Sequence, residues 1–355
     1  MIRSINMENM MGFEQFSNPV PFPGITVVLG KNDVCKTALM KMMYAIGKST
    51  EIYDKFQTQN ERVLFHKVLS EKLQSVYGIR NALGELVRKN GSSKKLTLQM
   101  MINGHTINNV RFTFGTDTRN TIVPHVVRHN MSRGINSNFV FIPAKEVLTA
   151  FNTIKAVSRQ LFYPGWDDTT LDLIDLLDIP VTSEVNPQFE LVLQKMRELF
   201  SGELKQISSN ERFVYKRNGS EYALPLTAEG IKHIGVLSTL ICNGQIKKGT
   251  VLFLDEPEDN LHPNALRLLI KVLVLLVNNG VQVFLTTHNY FTLKQLQIEA
   301  RIHQMDIMCC ELHRNEQGTV DSSFANLKEG MPDNEIVRES LAMLDEDIAV
   351  DFMNK

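Results

Sequence analysis

The sequence predicts an α/β fold built on a buried parallel sheet, and three observations predict it. Val251-Leu252-Phe253-Leu254 is a continuous apolar run that ends in Asp255-Glu256, as a central parallel strand covered on both faces reads. Gly24-Ile25-Thr26-Val27-Val28-Leu29 reads as a strand that passes through a loop, Gly30 to Cys35, into a helix from Lys36 to Ile46. A helix from Asn264 to Asn279, closed by Gly280, then joins the acidic strand to a second apolar run, Val281 to His288. That is a β–α–β unit, whose crossover is right-handed.

The remaining elements follow in order. Residues 1–48 read as strands and then the strand–loop–helix. Residues 51–90 place Val63, Leu64, Val68, Leu69, Leu73 and Val76 at helical spacing. From Lys94 to Ile102 the period becomes two, and Asn103-Gly104 reads as a hairpin turn. Phe139-Val140-Phe141-Ile142-Pro143 is a short buried strand. Residues 145–201 return to helices and carry the acidic pair Asp167-Asp168. A second hairpin turns at Asn218-Gly219. A helix opens near Thr227, a plausible N-cap, and runs to about Asn243. After residue 290 the chain is read as one more strand, through Cys309-Cys310, the segment Glu329 to Pro332 and a short acidic tail. No internal repeat or linker divides it. Residues 1–355 read as a single α/β domain with helical insertions at about 51–93 and 145–201.

Composition sets limits on function. The 355 residues are 43% hydrophobic and 22% charged with a net charge of −1, so no bulk positive field draws the chain to nucleic acid. The four cysteines form no C-x-x-C pair, which points away from zinc and a disulfide framework. Cys309 and Cys310 read as buried, inert thiols. No signal-peptide stretch opens the chain. Its longest apolar segment, Ala265 to Val277, contains Arg267 and Lys271 and is too short to span a bilayer. The expectation is a soluble, cytoplasmic protein with no membrane contact.

The motifs point to phosphate chemistry. Gly30-Lys31-Asn32-Asp33-Val34-Cys35-Lys36-Thr37 keeps the spacing of G-x-x-x-x-G-K-[ST], in which backbone N–H groups cradle phosphates at a helix N-terminus. Lys36 would reach the phosphates, and Thr37 would ligate magnesium. Cys35 stands where the second glycine belongs. If that backbone needs positive φ, the cysteine costs about 1–3 kcal/mol of strain. Asp255 and Glu256 end a strand where α/β sheets bind ligands. There Asp255 would hold magnesium, and Glu256 would orient and deprotonate a water. His288 ends the next apolar strand at the same edge, where an imidazole senses a γ-phosphate.

Together these residues resemble the ATP-binding-cassette-like ATPases of the SMC, RecF and OLD type. The run Asp255-Glu256-Pro257-Glu258-Asp259-Asn260-Leu261-His262-Pro263 carries most of the resemblance, with Thr286-Thr287-His288 and Phe141-Ile142-Pro143-Ala144 beside it. The resemblance implies a P-loop NTPase of ABC/SMC-head type, with a mixed sheet core, an antiparallel β subdomain and helical insertions. It implies two heads that pack face to face over two ATP molecules with Mg2+. Lys36 and Thr37 then belong to the phosphate loop, with Asp255 as the magnesium carboxylate, Glu256 as the catalytic base and His288 as the γ-phosphate switch. Asn260 falls in the segment that crosses the dimer interface, and Gly230 in the signature segment that serves the other subunit's ATP.

This sequence departs from the family at Cys35, which implies slow turnover, and at Thr227-Ala228-Glu229-Gly230, where the family has Ser-Gly-Gly. A magnesium-ligating glutamine is also missing; Lys145 and Glu146 stand in its place. The chain lacks coiled-coil arms and an acidic nuclease cluster. It is similar to the compact ATPases of bacterial anti-phage systems, which act on a separate effector protein. Two other readings stay open: an ATP-dependent DNA-binding repair or maintenance factor, and a weakly hydrolysing ATP-bound scaffold.

Overall fold

A computed structural model gives the fold and describes residues 1–79, 81–90, 93–103, 107–131, 137–158, 165–180, 187–200, 202–207, 213–259 and 261–353. The chain opens with the antiparallel strands β1 (Ile2–Met10) and β2 (Phe13–Ser17), then enters β3 (Ile25–Leu29) and helices α1 (Lys36–Thr58) and α2 (Phe65–Tyr77). Three antiparallel strands follow: β4 (Lys95–Asn103), β5 (Ile107–Gly115) and β6 (Val127–Asn130). Next come β7 (Phe139–Ile142), α3 (Phe151–Ser158), α4 (Asp168–Asp178) and α5 (Glu190–Phe200). A small antiparallel sheet is built from β8 (Glu203–Gln206), β9 (Phe213–Arg217) and β10 (Ser220–Ala223). The last part alternates: α6 (Glu229–Cys242), β11 (Val251–Leu254), α7 (Pro263–Asn278), β12 (Gln282–Thr287), α8 (Tyr290–Ile302) and β13 (Ile307–Arg314). β14 (Val320–Asn326) and α9 (Glu335–Met353) complete it.

The large sheet has eleven strands in the order β6-β5-β4-β1-β2-β14-β13-β3-β12-β11-β7. Its β13-β3-β12-β11-β7 half is parallel throughout. The other half is an antiparallel arm, joined at β2 and β14 by the single parallel pair Val320↔Phe13. The acidic strand β11 is not beside β3, because β12 lies between them.

Alternation along the parallel strands divides the core. Val251 and Phe253 face the layer of α1 and α2, whereas Leu252 and Leu254 face that of α6, α7 and α8. Four consecutive apolar residues are therefore all buried, which is why the run reads without a period. Phe253 stacks between its register partners Phe141 and Phe284, with ring centroids 6.0 and 5.3 Å away.

Several boundaries differ from the expected ones. α1 runs to Thr58, past the expected end at Ile46, so the insertion expected from about 51 begins inside it. The reason lies in Gly47 to Glu51, polar in sequence yet buried. Glu51 takes hydrogen bonds from Lys48 and from the Phe139 N–H at 3.1 Å. Thr227 does not cap α6. Ala228 holds that position with no side-chain bond, and the Thr227 hydroxyl donates to the Ala223 carbonyl at 3.2 Å across a short turn. Beyond Arg314 the chain adds a further strand and a helix that the reading of a short tail missed.

The Asn218-Gly219 hairpin forms as expected, with φ of 49° and 82°. Cys309 and Cys310 are buried, and burial pushes Cys309 up to about 12. The turn residue Gly104 lies outside the described residues.

Candidate functional site

Lys36 begins α1 just where β3 ends. Its ammonium is buried and donates to the carbonyls of Gly30 at 2.7 Å and Lys31 at 2.9 Å, curling the loop around itself. Only glycine fits position 30: φ is +145°, and an added Cβ would sit 2.4 Å from the Leu312 carbonyl. Asp33 and Cys35 also have positive φ, 68° and 63°. Val34 is buried in the core, and Asn32 is exposed. Two ion pairs fix the outer face of the loop. Arg314 donates to the Asp33 carbonyl at 2.7 Å and to its carboxylate at 3.0 Å, while Lys31 pairs with Glu335 of α9.

Cys35 occupies the left-handed conformation that the second glycine would hold, so the condition for strain is met. The thiol does not crowd the cradle. It packs into the core beneath the loop, against Gly12, and burial raises its pKa. A β-branched side chain fits this conformation worse than cysteine. Cys35→Val is therefore expected to lower unfolding free energy by about 1–2 kcal/mol, measured by urea denaturation.

The strand ends bring the other residues to this loop. The Thr37 hydroxyl donates to both Asp255 carboxylate oxygens, at 2.9 and 3.1 Å. Thr286, at the end of the interposed β12, donates to Asp255 at 2.7 Å and accepts from the Glu256 N–H at 3.0 Å. Glu256 has φ of +47°, and its carboxylate lies 3.1 Å from His288 Nδ1. Left-handed backbone at a carboxylate is strain of the kind that gathers at working sites. Lys36, Thr37, Asp255, Glu256 and His288 thus converge. Gly230 lies in the buried first turn of α6, a helix that packs on α4, α5 and β8. Asn260 lies outside the described residues.

Residues 107–294, more than half of the chain, match the family described as "AAA domain, putative AbiEii toxin, Type IV TA system". The chain belongs to this AAA family. The matched span holds Gly230, Asp255, Glu256 and His288, while the phosphate loop precedes it. No curated protein matches the chain. Solved structures with the same fold include an SMC head bound to the C-winged helix domain of ScpA, at TM-score 0.53 and 12% identity, covering 92% of this chain and 98% of that one. The SMC head domain from Thermotoga maritima gives 0.51 and 12%, with the same coverage. An SMC head with an extended coiled coil, bound to the C-terminal domain of ScpA derived from Pyrococcus furiosus, gives 0.52 and 11% over 97% and 98% of the two chains. The AAA domain therefore has the SMC-head P-loop fold, as the sequence implied.

Electrostatics in this AAA domain follow from burial. Burial lowers the Lys36 pKa, against the pull of Glu256, Asp255 and Glu258. Burial raises Asp255, against hydrogen bonds from Thr286 and Thr37. The donor set fits magnesium, which binds through one or two carboxylates, hydroxyl oxygen and substrate phosphates rather than an all-protein cage. Among the described residues no cluster of three or more His, Cys, Asp or Glu side chains forms such a cage. Glu146, where a glutamine was sought, turns back on its own loop and accepts from the Thr149 N–H at 3.1 Å. Among the described residues no helix is long and apolar enough to cross a membrane.

Three features escaped the sequence reading. The role of Thr286 is one: it stood in the Thr286-Thr287-His288 run, but nothing there tells which carboxylate it meets. The second is the acidic stretch, which is a brace. Asp167 caps α4 and pairs with Lys41, while Asp168 and Asp172 hold the buried Lys72 of α2 at 2.6 and 3.0 Å. The i, i+4 spacing of Asp168 and Asp172 was the available clue. The third is Glu258, buried beside the site, with Oε1 bonded to the Thr287 hydroxyl and Oε2 lacking a partner among the described residues. An unsatisfied buried polar atom costs about 1–3 kcal/mol.

Burial, opposed by that Thr287 bond, pushes Glu258 from its usual 4.5 up to about 7. The folded chain holds this proton more tightly than the unfolded chain. The resulting stability is complete below pH 4.5 and lost as pH rises through 7, a change of about 3 kcal/mol. Glu258→Gln cannot ionise. Its Tm is expected to match that of the natural chain near pH 5 and exceed it at pH 8, measured by thermal scans across pH.

Proposed function

We propose that this chain binds ATP with Mg2+ and hydrolyses it in a closed pair of heads, and that closure controls a separate effector protein in anti-phage defence. The convergence of Lys36, Thr37, Asp255, Glu256 and His288 at one sheet edge carries the reading. Lys36 neutralises phosphate charge, and backbone N–H groups from Gly30 to Lys36 cradle the phosphates. Thr37 and Asp255 would hold magnesium, which when bound neutralises charge on the transferring phosphoryl group. Glu256 takes the proton of the attacking water. His288, in reach of Glu256, reads the γ-phosphate.

The dimer rests on the resemblance to ATPases whose heads pair over ATP, in which Gly230, in the first turn of α6, would serve a second copy's nucleotide. SMC heads of the same fold are solved bound to domains of ScpA, which supports a separate protein partner here. Residues 1–355 are read as one ATPase domain, because α2 to α5 share the two cores of the central sheet.

The test is phosphate release from ATP across a range of chain concentrations. Turnover per chain is expected to rise with concentration and to vanish in Lys36→Ala. Turnover per chain that is constant with dilution overturns the composite site. No turnover at any concentration overturns the ATPase reading.

A further inference from the structure

Thr286, Thr287 and His288 follow one another at the end of β12, and each meets a different carboxylate beyond β11. Thr286 holds Asp255 at 2.7 Å, and His288 meets Glu256 at 3.1 Å. Thr287 donates to Glu258. The first two carboxylates have roles in the proposed reaction. Glu258 has none, yet it is only 5% exposed and leaves Oε2 unsatisfied among the described residues. A buried carboxylate kept at that cost invites a functional reading rather than a stabilising one.

Thr287 is the pivot. Its hydroxyl gives its one proton to Glu258, which leaves the oxygen free to accept the Asn289 N–H at 3.0 Å. Asn289 in turn caps α8, its side chain accepting from the Phe291 N–H at 2.8 Å. His288 sits between these two anchored residues. Its imidazole is half exposed and has one hydrogen-bond partner, Glu256, among the described residues. Without fixed neighbours on both sides, a half-exposed ring would sample other rotamers.

We propose that Glu258 is a positioning residue for ATP turnover, holding the His288 imidazole against Glu256 through Thr287 and Asn289. The inference rests on the ATPase reading given above. Among the described residues Glu258 makes no hydrogen bond to the phosphate loop or to Asp255 and bonds Thr287 instead, so its main effect falls on turnover rather than on nucleotide binding.

The test measures kcat and KM for ATP on the full chain, with amide hydrogen exchange at Asn289 as a readout independent of activity. Glu258→Ala and Thr287→Val are each expected to lower kcat about tenfold with KM nearly unchanged, and their double variant to be no slower than either alone. Glu258→Gln keeps an oxygen for the Thr287 hydroxyl, and Thr287→Ser keeps the hydroxyl; both are expected to recover most of the lost kcat. Exchange at the Asn289 amide is expected to quicken about tenfold in the two disruptive variants. The proposal is overturned if folded Glu258→Ala turns over normally, if the two losses multiply in the double variant, or if Asn289 protection is unchanged. A natural chain that releases no phosphate sinks the ATPase reading instead, and Asn289 exchange then decides the anchoring alone.

Discussion

Glu256→Gln is expected to lower ATP turnover by about 10²–10⁴-fold, the range for loss of a general base, while nucleotide binding persists. The substitution keeps side-chain shape and removes only the ability to take a proton. It leaves the Lys36 bonds to Gly30 and Lys31 and the Thr37–Asp255 contact untouched. The backbone at φ of +47° accepts glutamine as it accepts glutamate. Phosphate release and a nucleotide-binding isotherm on the same preparation separate the two effects. Normal turnover in the variant would remove Glu256 from its role. Lost binding together with lost turnover would show that the carboxylate shapes the pocket instead. If the proposed closure precedes the chemical step, the variant holds the closed pair longer, read by its elution as a dimer with ATP.

Phe253→Ala is expected to lower unfolding free energy by about 3–5 kcal/mol. The ring is fully buried and stacks on Phe141 and Phe284 of the two flanking strands, with Tyr44 of α1 edge-on at 6.0 Å. Phe141 and Phe284 are fixed on either side by strand register. Phe291→Ala is the control, since that ring is exposed on α8, and its change is expected to stay within about 0.5 kcal/mol. Denaturant midpoints for both variants make the comparison. A small loss at Phe253 would mean that β11 is not packed between β7 and β12 as described. The position also matters for chemistry, because only Leu254 separates this residue from Asp255.

What could be read from the sequence was whatever depends on local pattern. The run Val251 to Leu254 announced a strand covered on both faces, and the loop spacing put Lys36 at a helix start. Asn218-Gly219 announced its hairpin. What stayed hidden depends on residues distant along the chain. That β12 separates β3 from β11 follows from the assembled sheet, so the tie from Thr286 to Asp255 could not be foreseen. Gly47 to Glu51 resembled a helix end because their burial is supplied by Phe139, some 90 residues on, whose ring would meet a Cβ at Gly47 2.2 Å away. The direction of the Cys35 thiol depends on Gly12, on another strand pair. Thr227 offered a capping side chain, but the turn before α6 engaged it first.

The seam between β2 and β14 gives the sheet a mechanical character. Eleven strands side by side would make a stiff plate, but here two plates meet at one backbone pair, Val320↔Phe13. A second fastening lies some distance away: the Gln282 amide bonds the Ile2 N–H at 2.7 Å and the Ile2 carbonyl at 2.9 Å. Twisting one plate against the other meets little resistance from strand pairing at the seam. The fulcrum is Gly12, whose carbonyl receives the Val320 N–H at 2.9 Å and whose Cα faces the Cys35 sulfur. The Cys35 thiol thus sets the base of the phosphate loop directly against this seam, and the Phe16 and Phe324 rings, 5.9 Å apart, close over it.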